Sequence, residues 1–179
     1  MPTLDEYVEG GKIAELAVKE GAGRNQLRNI ALWASSKNVT AVRYFIDKQV
    51  SRGYLSLELA EYLKELLQKV DIPGFRRIML IAYDYFPWKK GEHIARMLYA
   101  NRDNILKVVR NYSSRQRLGK ADVRIFFRKE GTVTLHVYFE RDPYNRKRVA
   151  QELERLIKSQ VPSVKALSFQ VWIEKLERR

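Results

Sequence analysis

Apolar residues recur at helical spacing through most of the first 112 residues. The pattern predicts one helix near the N-terminus, one over 24–36, one capped by Thr40 and one capped by Ser56. Thr3 followed by Glu6 is typical of a capping box at the first helix. The face that we expect this first helix to bury consists of Leu4, Tyr7, Val8, Ala14, Ala17 and Val18.

The stretch 75–86 fits two structures. Its apolar residues at 75, 78, 79, 82, 85 and 86 lie on one face of a helix, and only Leu80 and Ile81 lie off that face. As a strand, 78–83 is a short apolar run that would open a βαββαβ domain reaching the C-terminus. We favour the helix because the helical spacing is kept for three turns.

The spacing changes from helical to alternating after residue 112. Another helical pattern follows Gly91 and covers 94–112, and the polar, basic segment 113–122 is typical of a linker. The segments 123–129 and 132–140 then alternate with period two on either side of a Glu-Gly pair, which predicts a β-hairpin. On its second strand, one side should carry Val133, Leu135, Val137 and Phe139.

A second helix–strand pair completes the C-terminal pattern. Asp142 and Pro143 predict a helix start, and 167–176 predicts a last strand. The fold class predicted is therefore α+β, with five or six helices followed by a small ββαβ module. We divide the chain into a helical domain at 1–115 and a basic module at 116–179. The alternative, with a strand at 78–83, is a helical N-terminus plus a ferredoxin-like, RRM-like βαββαβ domain.

The positive charge of the chain lies in its second part. The net charge is +13, yet residues 1–75 carry ten basic and ten acidic side chains. Residues 76–179 carry 24 basic and 11 acidic side chains, so the whole excess falls there. Such one-sided charge is typical of proteins that bind a polyanion. An acidic protein partner and a merely solvated basic surface are the alternatives.

The sequence offers little for catalysis. There is no cysteine, so disulfides, zinc ribbons and thiol chemistry are excluded. The glycines near Lys12 and Lys120 lack the spacing of a phosphate-binding loop, and the two histidines, His93 and His136, fall on different predicted elements. We therefore expect no enzyme activity, no cofactor and no metal. The sequence has no apolar run long enough for a membrane span and no secretory signal, so we expect a cytoplasmic protein that does not bind membranes.

Two short motifs resemble a known family. The segment GRNQLRNI, at 23–30, places a Gln-Leu-Arg triplet at a helix start, namely Gln26, Leu27 and Arg28. The segment FRRIMLIAYDYFPWKKG, at 75–91, has an alanine–tyrosine pair followed by an aromatic residue and a glycine, namely Ala82, Tyr83, Phe86 and Gly91. Both resemble signatures of the small subunit of Csm-type (type III-A) CRISPR effector complexes. The resemblance covers about residues 5–92. Arg24 departs from the usual Thr or Ser, and PWKK is inserted before the glycine.

The resemblance implies a non-catalytic RNA-binding subunit. Several copies would associate in a filament beside the other CRISPR effector subunits and hold the guide RNA and target RNA through their backbones, while base pairing reads the sequence. The C-terminal module is similar in architecture alone to small subunits of archaeal type I-A complexes.

Two alternative functions stay open. One is a free-standing RRM-like RNA-binding protein in which Phe126, Phe127 or Tyr138 stacks bases, and the other is a basic subunit that docks on an acidic protein.

The candidate RNA-binding residues are basic side chains predicted to lie on helix edges, in the linker, on one sheet face or at a helix start. They are Arg28, Arg43, Lys48, Arg76, Arg77, Lys89, Lys90, Arg115, Arg117, Lys120, Arg124, Arg128, Arg146, Lys147 and Arg148. Arg124 and Arg128 share a predicted face with Phe126, an arrangement that can stack bases, although such a Phe126 more commonly packs on the N-terminal domain. The last three lie in a first helical turn, where a phosphate would offset the unfavourable helix dipole. Of the three tryptophans, we expect Trp33 and Trp172 in a core or interface and Trp88 to be exposed.

Overall fold

The computed structural model describes residues 1–35, 37–128 and 130–177, and the order of its elements confirms the predicted α+β class. The helices are α1 Leu4–Lys19, α2 Arg24–Ala34, α3 Val39–Ser51, α4 Leu57–Lys69, α5 Ile72–Ala100, α6 Arg102–Gln116 and α7 Arg146–Gln160, with a short 3-10 helix at Pro162–Val164. The strands are β1 Ala121–Phe127, β2 Val133–Phe139 and β3 Gln170–Lys175.

Packing divides the chain into two compact units, Met1–Lys90 and Gly91–Arg179. The first unit contains one buried cluster drawn from α1 to α5, and the second contains another drawn from the end of α5, α6, the strands and α7. The division predicted between residues 115 and 116 follows the change in spacing, whereas these units follow packing. Helix α6 falls in the second unit because it shares that unit's buried cluster with the strands.

Helix α1 begins as predicted but buries a different face. The Thr3 N–H donates to Glu6 Oε1 (2.9 Å) and the Glu6 N–H donates to Thr3 Oγ1 (3.2 Å), so the capping box is confirmed. The predicted inward residues Leu4, Tyr7 and Val8 are exposed. Ala14 and Ala17 are buried as predicted, but they share the buried face with Glu6, Gly10 and Ile13.

The rotation of α1 follows from a close approach to α5. A Cβ atom added at Gly10 would lie 2.7 Å from Cβ of Ile81, closer than real Cβ contacts allow. Only a glycine lets the two helix backbones come this near, so Gly10 must face α5. Ile81, which the helical pattern of 75–86 left off the apolar face, is buried by this contact.

Two predicted helix caps are wrong, and asparagines cap these helices. Thr40 lies inside the first turn of α3, and the cap is Asn38, whose side chain accepts a 2.8 Å hydrogen bond from a backbone N–H three residues on. For α7 the cap is Asn145 rather than Asp142, which forms an ion pair with Arg146 instead. The C-terminal residue of the helix predicted over 24–36 is Ser36, which lies outside the described residues.

Helix α5 decides between the helix and the strand predicted for 75–86. The segment is helical, so the predicted helix is confirmed and the βαββαβ alternative is wrong. The helix does not end before Gly91, as the pattern suggested, but continues through Pro87 and Gly91 to Ala100.

The helix predicted over 94–112 is therefore two helices with a break at Asn101. The side-chain amide of Asn101 donates to the Met97 carbonyl (2.8 Å), which ends α5. The linker predicted over 113–122 is shorter than expected, because α6 continues to Gln116. Arg117 ends α6 in the left-handed conformation (φ 56°).

The strands form one sheet in the order β1-β2-β3. The predicted hairpin is confirmed, with β1 antiparallel to β2 and Val123 opposite Val137. Strand β3 lies parallel to β2, with Leu135 opposite Val171, and α7 makes the crossover between them. One side of β2 is buried as predicted, namely Val133, Leu135, Val137 and Phe139.

Candidate nucleic-acid interface

Arg24 repairs a break in the hydrogen bonding of α5. In an uninterrupted helix the Tyr83 carbonyl would accept the N–H of residue 87, but that residue is Pro87 and has no N–H. The Nε–H of Arg24 donates to this carbonyl instead, at 2.8 Å. The Arg24 guanidinium also lies 3.9 Å from the centroid of the Tyr83 ring, within range of a cation–π contact. The Arg24 guanidinium is therefore already bound by groups of the protein itself.

Arg28 lies one turn further along α2 and faces the same tyrosine. Its guanidinium carbon is 5.9 Å from the Tyr83 ring centroid, and its side chain is exposed. Among the ion pairs of the described residues, none involves Arg28. The two sequence motifs, far apart in the chain, therefore meet at Tyr83, and the meeting leaves one guanidinium open to solvent.

Arg76 and Arg77 are neighbours with different environments. Arg77 Nε lies 3.0 Å from Glu6 Oε2. The Thr3 N–H and the Arg77 guanidinium together hold the pKa of Glu6 below its usual value, against the opposing effect of burial. Arg77 therefore stabilises the start of α1, whereas Arg76 is exposed and forms none of the ion pairs that the described residues contain.

The remaining candidates of the first unit are scattered over α3 and α5. Lys48 lies 5.9 Å from the Tyr44 ring centroid and is exposed, while Arg43 is half-buried. Lys89 is half-buried on α5 and Lys90 is exposed.

The basic residues around the end of α6 are exposed in the second unit. Arg115, Arg117 and Lys120 all point their side chains to solvent. The Arg117 carbonyl accepts a hydrogen bond from Arg141 Nη1 at 2.9 Å. The Lys120 backbone N–H donates to Glu140 Oε2 at 3.0 Å. These backbone contacts order the short connection between α6 and β1 and leave its cationic side chains outside.

The start of α7 is partly neutralised by its own neighbours. Arg146 donates through Nε and Nη2 to both carboxylate oxygens of Asp142, at 2.8 and 2.9 Å, and this pairing lowers the pKa of Asp142. Arg148 lies 3.6 Å from Glu152. Lys147 is exposed. The unfavourable position of cations near the helix N-terminus is thus relieved at Arg146 by Asp142.

The sheet has an outer face that carries aromatic side chains, and we call it the aromatic face. It consists of Arg124, Phe126, His136, Tyr138 and Trp172, whose alternation with buried neighbours puts them on the side opposite the core. Phe126 is 43% exposed and Trp172 is 49% exposed. Of the two expectations for Trp172, a core or an interface, the core is therefore excluded. Arg128, just after β1, is exposed.

The sequence already indicated that Trp172 lies on the side of the sheet opposite the core. Trp172 stands between Val171 and Ile173, so the alternation already placed it opposite to Ile173, which is buried. Trp33 is half-buried and stacks on Phe45 with 4.7 Å between ring centroids, and Trp88 is exposed as predicted. Of the residues named for base stacking, Tyr138 lies on the aromatic face, while Phe127 is on the inner side and half-buried.

Other features of the described residues bear on the chemistry of the molecule. None of the helices in the described ranges combines the length and apolar character of a transmembrane span. In the same ranges, no group of three or more His, Asp or Glu side chains is placed to hold a metal ion.

Comparison with protein-family models, with curated proteins and with solved structures finds no match to this chain.

Proposed function

We propose that this protein is a non-catalytic RNA-binding subunit of a CRISPR effector complex. It holds the duplex of guide RNA and target RNA through the sugar–phosphate backbone, as part of antiviral defence in the cytoplasm. The observation that carries the proposal is the contact at Tyr83, where the two motifs that resemble the small-subunit family meet and leave Arg28 exposed.

The charges of the first unit suit a surface that touches few phosphates. Residues 1–90 carry 14 basic and 11 acidic side chains. Arg24 and Arg77 are held by protein groups, whereas Arg28 and Arg76, like Arg52, are exposed guanidinium groups without a carboxylate partner among the described residues. A guanidinium donates to phosphate oxygens in a fixed fork and carries no sequence preference when it does so.

The proposed partners follow from this role. The RNA is read by base pairing between guide and target, so this subunit needs only to recognise the shape and charge of the duplex. Other effector subunits and further copies of this chain would lie next to it along the RNA. The exposed apolar residues of α1, namely Leu4, Tyr7 and Val8, are available for such protein contacts.

The proposal is tested by reversing one charge. A labelled RNA duplex of about 20 base pairs is titrated with the protein at several salt concentrations and followed by fluorescence anisotropy. We expect Arg28→Glu to weaken binding and to reduce the slope of log affinity against log salt by about one, because one phosphate contact is lost.

Arg52→Glu is the matched control, since Arg52 is an exposed arginine in the same unit and the charge change is the same. It should change affinity less than Arg28→Glu and leave the slope nearer to that of the natural protein. Equal effects of the two substitutions would show that diffuse charge drives binding, and the proposal of a defined contact at Arg28 would then fail.

A further inference from the structure

The aromatic face is a continuous surface three strands wide. His136 lies at its centre, with its ring centroid 4.5 Å from that of Phe126 in an edge-to-face contact. Toward β3, the His136 and Trp172 rings stack at 5.9 Å with 15° between their planes. Toward the other end of β2, His136 and Tyr138 are 6.4 Å apart at 27°. The strand register places Arg124 and Trp172 on either side of His136.

Hydrogen bonds hold these rings in place. The indole N–H of Trp172 donates to Gln170 Oε1 at 3.3 Å. His136 has Thr134 Oγ1 at 3.2 Å from Nε2 and Glu174 Oε1 at 3.6 Å from Nδ1. These contacts restrain the Trp172 and His136 rings before any ligand arrives, which reduces the entropy lost on binding.

The solvent-exposed rings of the aromatic face suit a ligand with flat groups that can stack on them. Phe126 and Trp172 each keep nearly half of their surface exposed, although large aromatic side chains usually bury most of theirs. Every nucleobase has a π face that can stack on such a ring, whatever the sequence.

The arginines at the aromatic face suit a polyanion, and the two carboxylates on this face, Asp122 and Glu174, lie against Arg102 and His136. Arg124 lies on this face with its guanidinium carbon 5.5 Å from the Tyr138 ring centroid, and no ion pair of the described residues involves it. Arg128 is exposed beyond the same strand. The second unit carries 20 basic and 10 acidic side chains, a net charge of +10. Stackable rings beside unpaired arginines complement a strand that has both bases and phosphates.

We propose that the aromatic face binds single-stranded RNA, with unpaired bases stacked on Phe126 and Trp172 and the backbone beside Arg124. A duplex cannot use this surface in the same way, because its bases already stack on each other. The site is therefore separate in chemistry from the backbone contact at Arg28. The choice of RNA over DNA rests on the proposed function.

The test compares a single strand with a duplex. Fluorescein-labelled oligouridylate and an RNA duplex of equal length are titrated with Trp172→Ala, Phe126→Ala and the control Tyr144→Ala. Tyr144 is a fully exposed aromatic residue of the same unit that lies outside the aromatic face. We expect each of the first two substitutions to weaken single-strand binding about 5- to 150-fold. Duplex binding and the Tyr144→Ala variant should stay within about twofold of the natural protein.

A spectroscopic readout keeps the test decisive if the alanine variants fold poorly. Oligouridylate should quench the intrinsic tryptophan fluorescence, and Trp172→Phe should remove most of that quenching while keeping affinity, because phenylalanine still stacks.

Two results would overturn the inference. They are unchanged quenching in Trp172→Phe and equal losses for single strand and duplex. A failure here leaves the Arg28→Glu result on the duplex untouched, so the two proposals fail separately.

Discussion

The two units of this protein use their arginines in different ways. In the first unit Arg24 closes a gap in α5 and Arg77 holds the start of α1, and the charges are nearly balanced. In the second unit the basic side chains outnumber the acidic ones by 20 to 10, which leaves a net charge of +10. Local pairing such as that of Arg146 with Asp142 cannot remove such an excess. The comparison separates charge that stabilises the fold from charge that is available to a ligand.

The units also differ in how they bury surface. The helical unit brings α1 against α5 backbone to backbone at Gly10, so this one contact tolerates no larger side chain. The sheet unit covers only one side of its strands, and the other side keeps half-exposed rings. In the second unit the cost of a substitution should depend on which face of the sheet it changes, and at the contact of α1 with α5 it should depend on the size of the new side chain.

The largest difference in stability that we expect is between substitutions on the two faces of the sheet. Leu135→Ala removes a fully buried side chain and should lower the free energy of unfolding by about 2–5 kcal/mol. Trp172→Ala, on the adjacent strand but on the open face, should cost about 1 kcal/mol or less. Urea unfolding followed by circular dichroism measures both. Similar losses would mean that the aromatic face is packed rather than open.

The next effect concerns two adjacent glycines of α1. Gly10→Ala forces a Cβ against Ile81, and an overpacking cost of about 1–3 kcal/mol less a helix gain of about 1 kcal/mol for alanine leaves a net loss of up to about 2 kcal/mol. Gly11→Ala is the matched control, because its Cβ would meet nothing closer than Tyr85 at 3.9 Å. That variant should gain about 0.5–1 kcal/mol. Thermal unfolding of the two variants should give shifts of opposite sign, and shifts of the same sign would contradict the close approach.

The smallest effect tests a feature that the units share. Each has a tyrosine whose hydroxyl donates to a glutamate, Tyr62 to Glu9 (2.6 Å) and Tyr112 to Glu152 (3.0 Å). Burial, and then the hydrogen bond to the carboxylate, raises the pKa of each tyrosine to about 12. Because the unfolded chain loses this proton near its usual pKa of about 10, the stabilisation is complete below that pH and is lost as pH rises toward about 12.

Phenylalanine at either position should remove that tyrosine's contribution to this dependence and cost about 1 kcal/mol at neutral pH. Urea unfolding at about pH 9 and about pH 11 measures it, with the exposed Tyr99→Phe as control. If the Tyr62→Phe or Tyr112→Phe protein still loses as much stability between these pH values as the natural protein, the hydrogen bond is not its cause.

The spacing of apolar residues predicted most of the elements. Helical spacing over 75–86 identified part of α5, and alternation identified both strands of the hairpin, because side-chain period reports directly on backbone geometry. The caps of α3 and α7 were misplaced, since Thr40 and Asp142 are good capping residues that stand close to better placed asparagines.

What the spacing could not predict are contacts between distant segments. Hydropathy scales give Gly10 no reason to face the core, and only the approach of Ile81 shows why Leu4 and Tyr7 turn outward. The pairing of β2 with β3 depends on the crossover through α7, so the neighbourhood of His136 and Trp172 cannot be read from either strand alone. The candidate arginines were found by charge, but charge does not tell Arg77, which is paired, from Arg76, which is not.

The hydrogen bond from Arg24 to the Tyr83 carbonyl makes two distant positions interdependent. Proline at 87 leaves that carbonyl without its helical donor, and arginine at 24 supplies one. Replacing Arg24 alone leaves the Tyr83 carbonyl without a hydrogen-bond donor. Replacing both Arg24 and Pro87 lets the backbone N–H of residue 87 donate to it, as in an ordinary helix. The two sites should therefore show epistasis. Related chains should keep the pair or lose it together, so a sequence with Thr or Ser at the first position is expected to lack proline at the second.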